Sequence, residues 1–204
     1  EINNPLAGIL GHAQLLLLDK PDGDPDIGSL QKIEMAARRV KEITANLLRF
    51  SQQRQEAARR PMDLRLTVRD TLSLIGHQLE REGIQVDLTL PDAPVRIDGD
   101  PGQLGEVLLA LVQNARTAMR ASARKALSVS LEVREGHADL VVGDTGRGIR
   151  PEHLERLFDP FFTTKDEWLG LSVSFRVAQE HGGTIEVRTE EGQGSSFTLR
   201  LPLR

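Results

Sequence analysis

The spacing of apolar residues changes once along this chain of 204 residues, near residue 60, and that change limits the folds open to it. Before it the period is helical throughout. Leu30, Ile33, Ala37, Val40, Thr44 and Leu47 recur at alternating spacings of three and four, which is a heptad seam. Ahead of them Leu6, Ile9, Leu10, Ala13, Leu16 and Leu17 mark a wider apolar face on a first helix. The turn-rich Asp19-Lys20-Pro21-Asp22-Gly23-Asp24-Pro25 separates the two, with Asp24 and Pro25 as N-cap and first-turn residue of the second helix. Two such helices alone make too small a core. Residues 1–60 are therefore expected to form an antiparallel hairpin that pairs with a second copy into a four-helix bundle.

From Met62 onward helical and strand patterns alternate. An amphipathic helix is predicted from about Leu64 to Arg81, strands at Ile84–Leu90 and Val95–Asp98, and a helix from Pro101 to about Ala121. Ala126–Val133 and His137–Val142 flank Arg134-Glu135-Gly136 as one hairpin. Gly183–Thr189 and Ser195–Leu201 flank residues 190–194 as another, with a helix at Leu171–His181 before it. The expected fold class is α+β: a helical hairpin at 1–60, then an α/β sandwich at 61–204 with one mixed, mostly antiparallel sheet covered by about three helices.

Composition narrows the function classes. With 39% hydrophobic and 27% charged residues the chain can bury a real core. The run Leu15–Leu18 is too short for a membrane span or a signal segment, and the absence of cysteine excludes disulfides and thiolate chemistry. A net charge of -4 gives no support to nucleic-acid binding, and Arg54, Arg59 and Arg60 read as a solvated helix surface or linker. His12, His77, His137, His153 and His181 read as surface residues.

The chemistry concentrates in Asp144-Thr145-Gly146-Arg147-Gly148-Ile149. The run Ala138–Gly143 is a buried strand by pattern, so Asp144 emerges at a strand end where a ligand can approach. Its carboxylate can accept a hydrogen bond from an exocyclic amine such as that of adenine, while Gly146 and Gly148 leave room for a base against bare backbone. Asn114-Ala115 on an apolar helix precedes this segment, and Phe158-Asp159-Pro160-Phe161-Phe162 follows it; together they suggest an ATP site.

In that order the segments resemble the catalytic core of bacterial sensor histidine kinases: a dimerisation and phosphotransfer hairpin followed by an ATP-binding domain of the fold shared with gyrase, Hsp90 and MutL. The resemblance spans essentially the whole chain. Glu1-Ile2-Asn3-Asn4-Pro5-Leu6 is similar to the segment following the phosphoacceptor histidine, Leu109–Ala118 to the N box, and Asp144–Ile149 to the first G box. Leu157–Lys165 (LFDPFFTTK) is similar to the F box, Gly170-Leu171-Ser172 to the end of the second G box, and GQGSSFTLRLP at 192–202 to the closing strand.

The resemblance implies ATP and Mg²⁺ as cofactors. Asn114 would give its side-chain oxygen to Mg²⁺, a hard cation that keeps phosphates and water in its shell, with Glu106 supporting the metal through water. Asp144 would recognise adenine, helped by Ser195 at the family's usual threonine position. Gly146, Gly148, Gly170 and Leu171 would line the nucleotide, with Thr163, Thr164 and Lys165 beside the phosphates and Phe158 docking the lid. The phosphoacceptor histidine would be the residue immediately before Glu1. Glu1 would orient that ring and take its proton, and Asn4, one turn on, would hold a water for dephosphorylating a partner. Asn4-Pro5 also reads as an N-cap with proline at the first helical position.

The implied partners are a second copy through residues 1–60, a response-regulator receiver domain and an upstream sensor domain, with no nucleic acid, and this portion is expected in the cytosol. Two departures from the family stand out. The segment Lys165-Asp166-Glu167-Trp168-Leu169-Gly170-Leu171 passes straight from the F box into the last glycine of the second G box, so the lid is several residues short. Ala110 stands where many relatives carry a first N-box asparagine. A genuinely short lid would favour the alternative, a non-catalytic dimeric scaffold that binds nucleotide. A clamp of the gyrase kind fits neither the heptad hairpin nor the absence of a basic surface.

Overall fold

A computed structural model describes residues 3–21, 24–37, 40, 59–159 and 170–204, and it divides into two compact units, Glu1–Ala57 and Ala58–Arg204. In the first unit, helix α1 spans Asn3–Asp19 and helix α2 runs through 27–37. Between them Lys20 reaches the carboxylates of Asp24 at 3.0 Å and Asp26 at 2.7 Å. The Asp24 carboxylate accepts from the Asp26 backbone N–H at 2.8 Å, but the first helical bond of α2 runs from the Leu30 N–H to the Asp26 carbonyl. Asp24 thus caps a tight lead-in turn, and the helix proper starts two residues later than the Asp-Pro pair suggests.

Each helix of this hairpin carries two apolar seams rather than one. Leu6, Ala13 and Ala37 are buried and Leu10, Leu17 and Leu30 half-buried, while Gln14 on α1 donates to Glu34 on α2 at 2.9 Å. Ile9, Leu16, Ile33 and Val40, three or four residues away, remain 40–50% exposed. The predicted seam positions Thr44 and Leu47 lie outside the described residues.

The second unit begins with strand β1 at Arg60–Asp63, followed by α3 (Leu64–Arg81), β2 (Gln85–Thr89), β3 (Arg96–Gly99), α4 (Pro101–Ala118), β4 (Ala126–Arg134), β5 (His137–Asp144), a one-turn α5 (Pro151–Leu154), α6 (Leu171–Glu180), β6 (Thr184–Glu190) and β7 (Gly194–Pro202). Five strands form one sheet in the order β2-β4-β5-β7-β6, antiparallel except for β2 beside β4. That parallel pair needs a long crossover, which contains α4.

A sequence expectation fails at the first strand. The stretch holding Arg60 is not linker: Arg60 opens β1, which pairs antiparallel with β3 as a separate two-stranded ribbon, Arg60 opposite Gly99. A four-residue strand with both ends polar has no period-2 signal to read.

One face of the large sheet is the core. Leu127, Val129 and Leu131 on β4, Leu140 and Val142 on β5, and Phe197, Leu199 and Leu201 on β7 alternate onto it, and Val68, Leu104, Leu108, Leu111 and Leu171 of the three long helices pack over them. On the other face Arg200 forms a two-pronged pair with Asp139 at 2.8 Å, whose guanidinium holds that carboxyl below its ordinary range. His181 is also not where its sequence context suggested. It is buried at the end of α6, its Nδ1–H donates to the Val177 carbonyl at 2.8 Å, and its Nε2 accepts the Asp100 N–H at 3.1 Å. Since Asp100 caps α4 through Gly102 and Gln103, this imidazole ties the end of α6 to the start of α4.

Leu111 is fully buried at the centre of α4. Leu111→Ala is expected to lower the unfolding free energy by about 2–5 kcal/mol in urea denaturation; a loss below about 1 kcal/mol would mean that α4 is not the helix on which this core is built.

Candidate functional site

Residues 144–149 are held from every side by backbone. Thr145 Oγ1 donates to the Arg124 carbonyl at 2.9 Å and accepts the Ala126 N–H at 3.0 Å, the Arg147 N–H reaches the Ala118 carbonyl, and the Gly192 N–H donates to the Arg147 carbonyl at 2.7 Å. A loop so tied presents its inner surface in a fixed shape.

Two glycines allow this. Gly148 has φ 69°, and a side chain there would run into the Glu190 carbonyl; a Cβ on Gly146 would sit 2.6 Å from the Ala118 Cβ. Bare backbone therefore lies directly on the end of α4.

Asp144 ends β5 on the same face as Leu140 and Val142, so its carboxylate points to the helix side of the sheet. Its Oδ1 accepts the Gly146 N–H at 2.7 Å, and the Ser195 N–H donates to it as well. Burial outweighs both donors and pushes the carboxyl up to about 6. Ser195 is the cross-strand partner of Asp144 on β7, and Thr189 on β6 is the partner of Ser195, so the three occupy one row.

On α4, Glu106, Ala110, Asn114 and Ala118 recur at every fourth position and form one stripe. Ala118 meets Gly146 of the strand-end loop, and Ala110 faces Gly170, where a Cβ would come within 3.2 Å. Gly170, at φ 83°, starts α6, and the next residue, Leu171, is fully buried. Asn114 lies midway between these two glycine contacts, 7% exposed, and its Nδ2 is buried without a hydrogen-bond partner among the described residues. A buried amide left unpaired costs about 1–3 kcal/mol, and this N–H is completed only by an acceptor, such as a phosphate or water oxygen.

No group of three or more His, Cys, Asp or Glu side chains suited to a metal occurs among the described residues. A cation at Asn114 would take the amide oxygen together with oxygens of a nucleotide and water, the kind of shell that Mg²⁺ prefers. Glu106, on the same stripe, is exposed and about 12 Å of helix rise from Asn114.

The structure brings together Asn114, Asp144, Gly146, Gly148, Gly170, Leu171 and Ser195 around the end of β5 and the face of α4. Phe158 stacks on Phe175 of α6 with ring centroids 4.9 Å apart, on the flank of the core. Asn4 lies in the first turn of α1. Glu1, Phe161, Phe162, Thr163, Thr164, Lys165 and Trp168 fall outside the described residues. Thr189, the end of the predicted strand Gly183–Thr189, joins the site through its pairing with Ser195, and counting back across the turn from Ser195 finds it. A groove of about 690 Å³ runs over Asp87, Ser128, Gly143, Ser196 and Arg188 on the opposite face of the sheet and reaches Asp144, Thr189 and Ser195 at the strand ends.

Residues 99–204 match the family described as histidine kinase-, DNA gyrase B- and HSP90-like ATPase, and residues 1–56 match the His Kinase A phospho-acceptor domain. The sensor histidine kinase ZraS of Escherichia coli K12 is 34% identical over 205 residues; the match covers 100% of this chain, which spans 43% of that relative's length. Among solved structures, full-length ShkA in complex with AMPPNP superposes with TM-score 0.71 at 25% identity, over 98% of this chain and 43% of that one. Histidine kinase ThkA in complex with the response regulator protein TrrA shares the fold at TM-score 0.73 and 24% identity, over 100% of this chain and 59% of that one. No helix among the described residues is long and apolar enough to cross a membrane.

The raised Asp144 carboxyl has a stability consequence. Because it binds a proton more tightly in the fold than in the unfolded chain, its favourable contribution is complete below about pH 4 and is lost as pH rises through about 6. Asp144→Asn is therefore expected to stabilise the ligand-free fold at pH 7, on the order of 2 kcal/mol, with the gain vanishing at pH 4. Paired urea melts at the two pH values check this, and a variant equally or less stable at pH 7 would contradict it.

Proposed function

This chain belongs to the histidine kinase-, DNA gyrase B- and HSP90-like ATPase family, and from that premise we propose that it is the catalytic core of a protein-histidine kinase of a two-component system. Residues 61–204 bind ATP with Mg²⁺. The γ-phosphoryl group passes to a histidine immediately before Glu1 and from there to an aspartate on a response-regulator receiver domain. Asp144 carries the reading: a desolvated carboxylate at a strand end, beside a loop that two glycines let lie directly against the end of α4 and the end of β6, is costly to the fold and suited to an exocyclic amine.

Asn114 contributes its amide oxygen to Mg²⁺, which when bound screens phosphate charge, and Glu106 supports the ion through water. Gly146, Gly148, Gly170, Leu171 and Ser195 surround the base and sugar. Thr163, Thr164 and Lys165 meet the phosphates, and Phe158 anchors the lid on α6. Transfer to an imidazole is chiefly a matter of position and charge, since the transferred group is loosely bonded in the transition state. Glu1 orients the neutral ring and takes its proton. Asn4 holds a water for hydrolysis of the partner's aspartyl phosphate, which would make the same core a phosphatase. An upstream sensor domain in the intact protein supplies the signal, and this portion works in the cytoplasm.

The exposed seam of Ile9, Leu16, Ile33 and Val40 supports a homodimer through residues 1–60, two hairpins closing a four-helix bundle. Light scattering after size exclusion should give twice the monomer mass, and Ile33→Asp with Val40→Asp should give monomers of unchanged helicity. A parent chain that is monomeric at micromolar concentration would remove the dimer.

For the reaction, a chain extended to include the residue before Glu1 should gain the mass of one acid-labile phosphoryl group on incubation with MgATP. Asn114→Asp and Asp144→Asn should each abolish that gain while leaving the fold intact. Nucleotide binding without phosphorylation would favour the dimeric scaffold instead, and a flat calorimetric titration with unchanged Trp168 fluorescence would exclude an ATP site.

A further inference from the structure

Thr189 is the hub of the row that ends in Asp144. Its Oγ1 accepts the Ile149 N–H at 2.9 Å, donates to the Gly194 carbonyl at 2.9 Å, and lies 3.0 Å from Ser195 Oγ. A hydroxyl has one hydrogen and two lone pairs. The Ile149 amide can only donate and the Gly194 carbonyl can only accept, so Thr189 spends its single hydrogen on Gly194. Its contact with Ser195 must then be donated by Ser195. The Ser195 hydrogen is thereby committed, and Ser195 can offer a ligand only lone pairs.

Ionised Asp144, directly across from Ser195, is also purely an acceptor, and one of its oxygens already holds the Gly146 N–H. This corner of the site thus has no hydrogen to give. A purine whose 6-position is an amine supplies hydrogens to it, directly or through a water; one whose 6-position is a carbonyl brings a third acceptor against two others.

We propose that Thr189 is a specificity-determining positioning residue, which by fixing the direction of the Ser195 hydroxyl makes the base pocket acceptor-only and so selects 6-amino over 6-oxo purine nucleotides. The proposal rests on the nucleotide reading of the Asp144 site. Thr189 acts through Ser195 and, by the Ile149 bond, on the far end of the glycine loop; it need not touch the base.

The test is calorimetric affinity of the full chain for MgATP and for the magnesium complex of inosine triphosphate, which differs in carrying a 6-oxo group. The parent is expected to prefer ATP strongly. Thr189→Val keeps the shape but frees the Ser195 hydrogen to turn toward the ligand, and the ATP-to-inosine-triphosphate ratio of affinities should fall by about tenfold or more. Thr189→Ser, which keeps the hydroxyl, should restore the ratio. In a Ser195→Ala background, Thr189→Val should move the ratio no further.

An unchanged ratio in folded Thr189→Val, or an equal drop in the Ser195→Ala background, overturns the proposal while leaving the ATP site standing. Failure of the parent to bind ATP at all overturns the underlying reading instead. Should Thr189→Val not fold, Ser195→Ala alone decides: it must lower the ratio, and full discrimination without the Ser195 hydroxyl sinks the idea.

Discussion

Helix α4 lies against two loops at distances that only small residues permit, and the geometry of the site follows from that contact. Ala118 receives the bare backbone of Gly146, and Ala110 receives Gly170 one turn on the other side of Asn114. Larger residues at either pair would push the loops off the helix and leave Asn114 facing solvent. Because they fit, the amide is caught between the strand-end loop and the start of α6 with one nitrogen unpaired. The buried imidazole of His181 secures the same arrangement from the far end of α4, where it accepts the N–H of the residue that caps the helix.

Against this rigid floor stands a carboxylate that the fold tolerates at a cost. The surroundings of Asp144 raise rather than lower its proton affinity, the opposite of Asp139 on the other face of the same strand system, where a guanidinium compensates burial. A structural carboxylate would find a partner of that kind. Among the described residues Asp144 finds two backbone amides, and the remaining deficit is what a donor on a ligand can supply. The hydroxyl row beyond it adds a second acceptor rather than a donor, so stability is given up at the point where recognition needs it.

In the helical unit the same economy appears in apolar form. A hairpin that had only to close on itself would need one seam per helix, and α1 and α2 each carry a second one left in water. Hydrophobic residues at that regular spacing on two adjacent helices present a stripe of the kind that pairs of helices bury against each other.

Much of this was legible in the residues. The change of period near residue 60, the two long hairpins of the sheet, α3, α4 and α6, and the placement of Asp144 at a strand end follow from alternation and turn chemistry, which are local and repeat often enough to be read. The motif residues Asn114, Asp144, Gly146, Gly148, Gly170 and Ser195 could be picked out because they stand in a set order along the chain, and the structure gathers them around the end of β5 and the face of α4. What sequence left unread is whatever depends on a neighbour distant along the chain. Arg60 became a strand only because Gly99 lies beside it; His181 was buried because Asp100, 81 residues earlier, offered it an N–H. Thr189 gained its role from three partners, Ile149 on the glycine loop and Gly194 and Ser195 on β7, and no spacing rule encodes the direction of a hydroxyl hydrogen. The sequence by itself determined which elements form and which chemical groups stand along them, since backbone preference and side-chain type are properties of each position. Only the tertiary structure decided how those groups are charged, paired and aimed, because desolvation and hydrogen-bond saturation exist only once remote segments have closed around them.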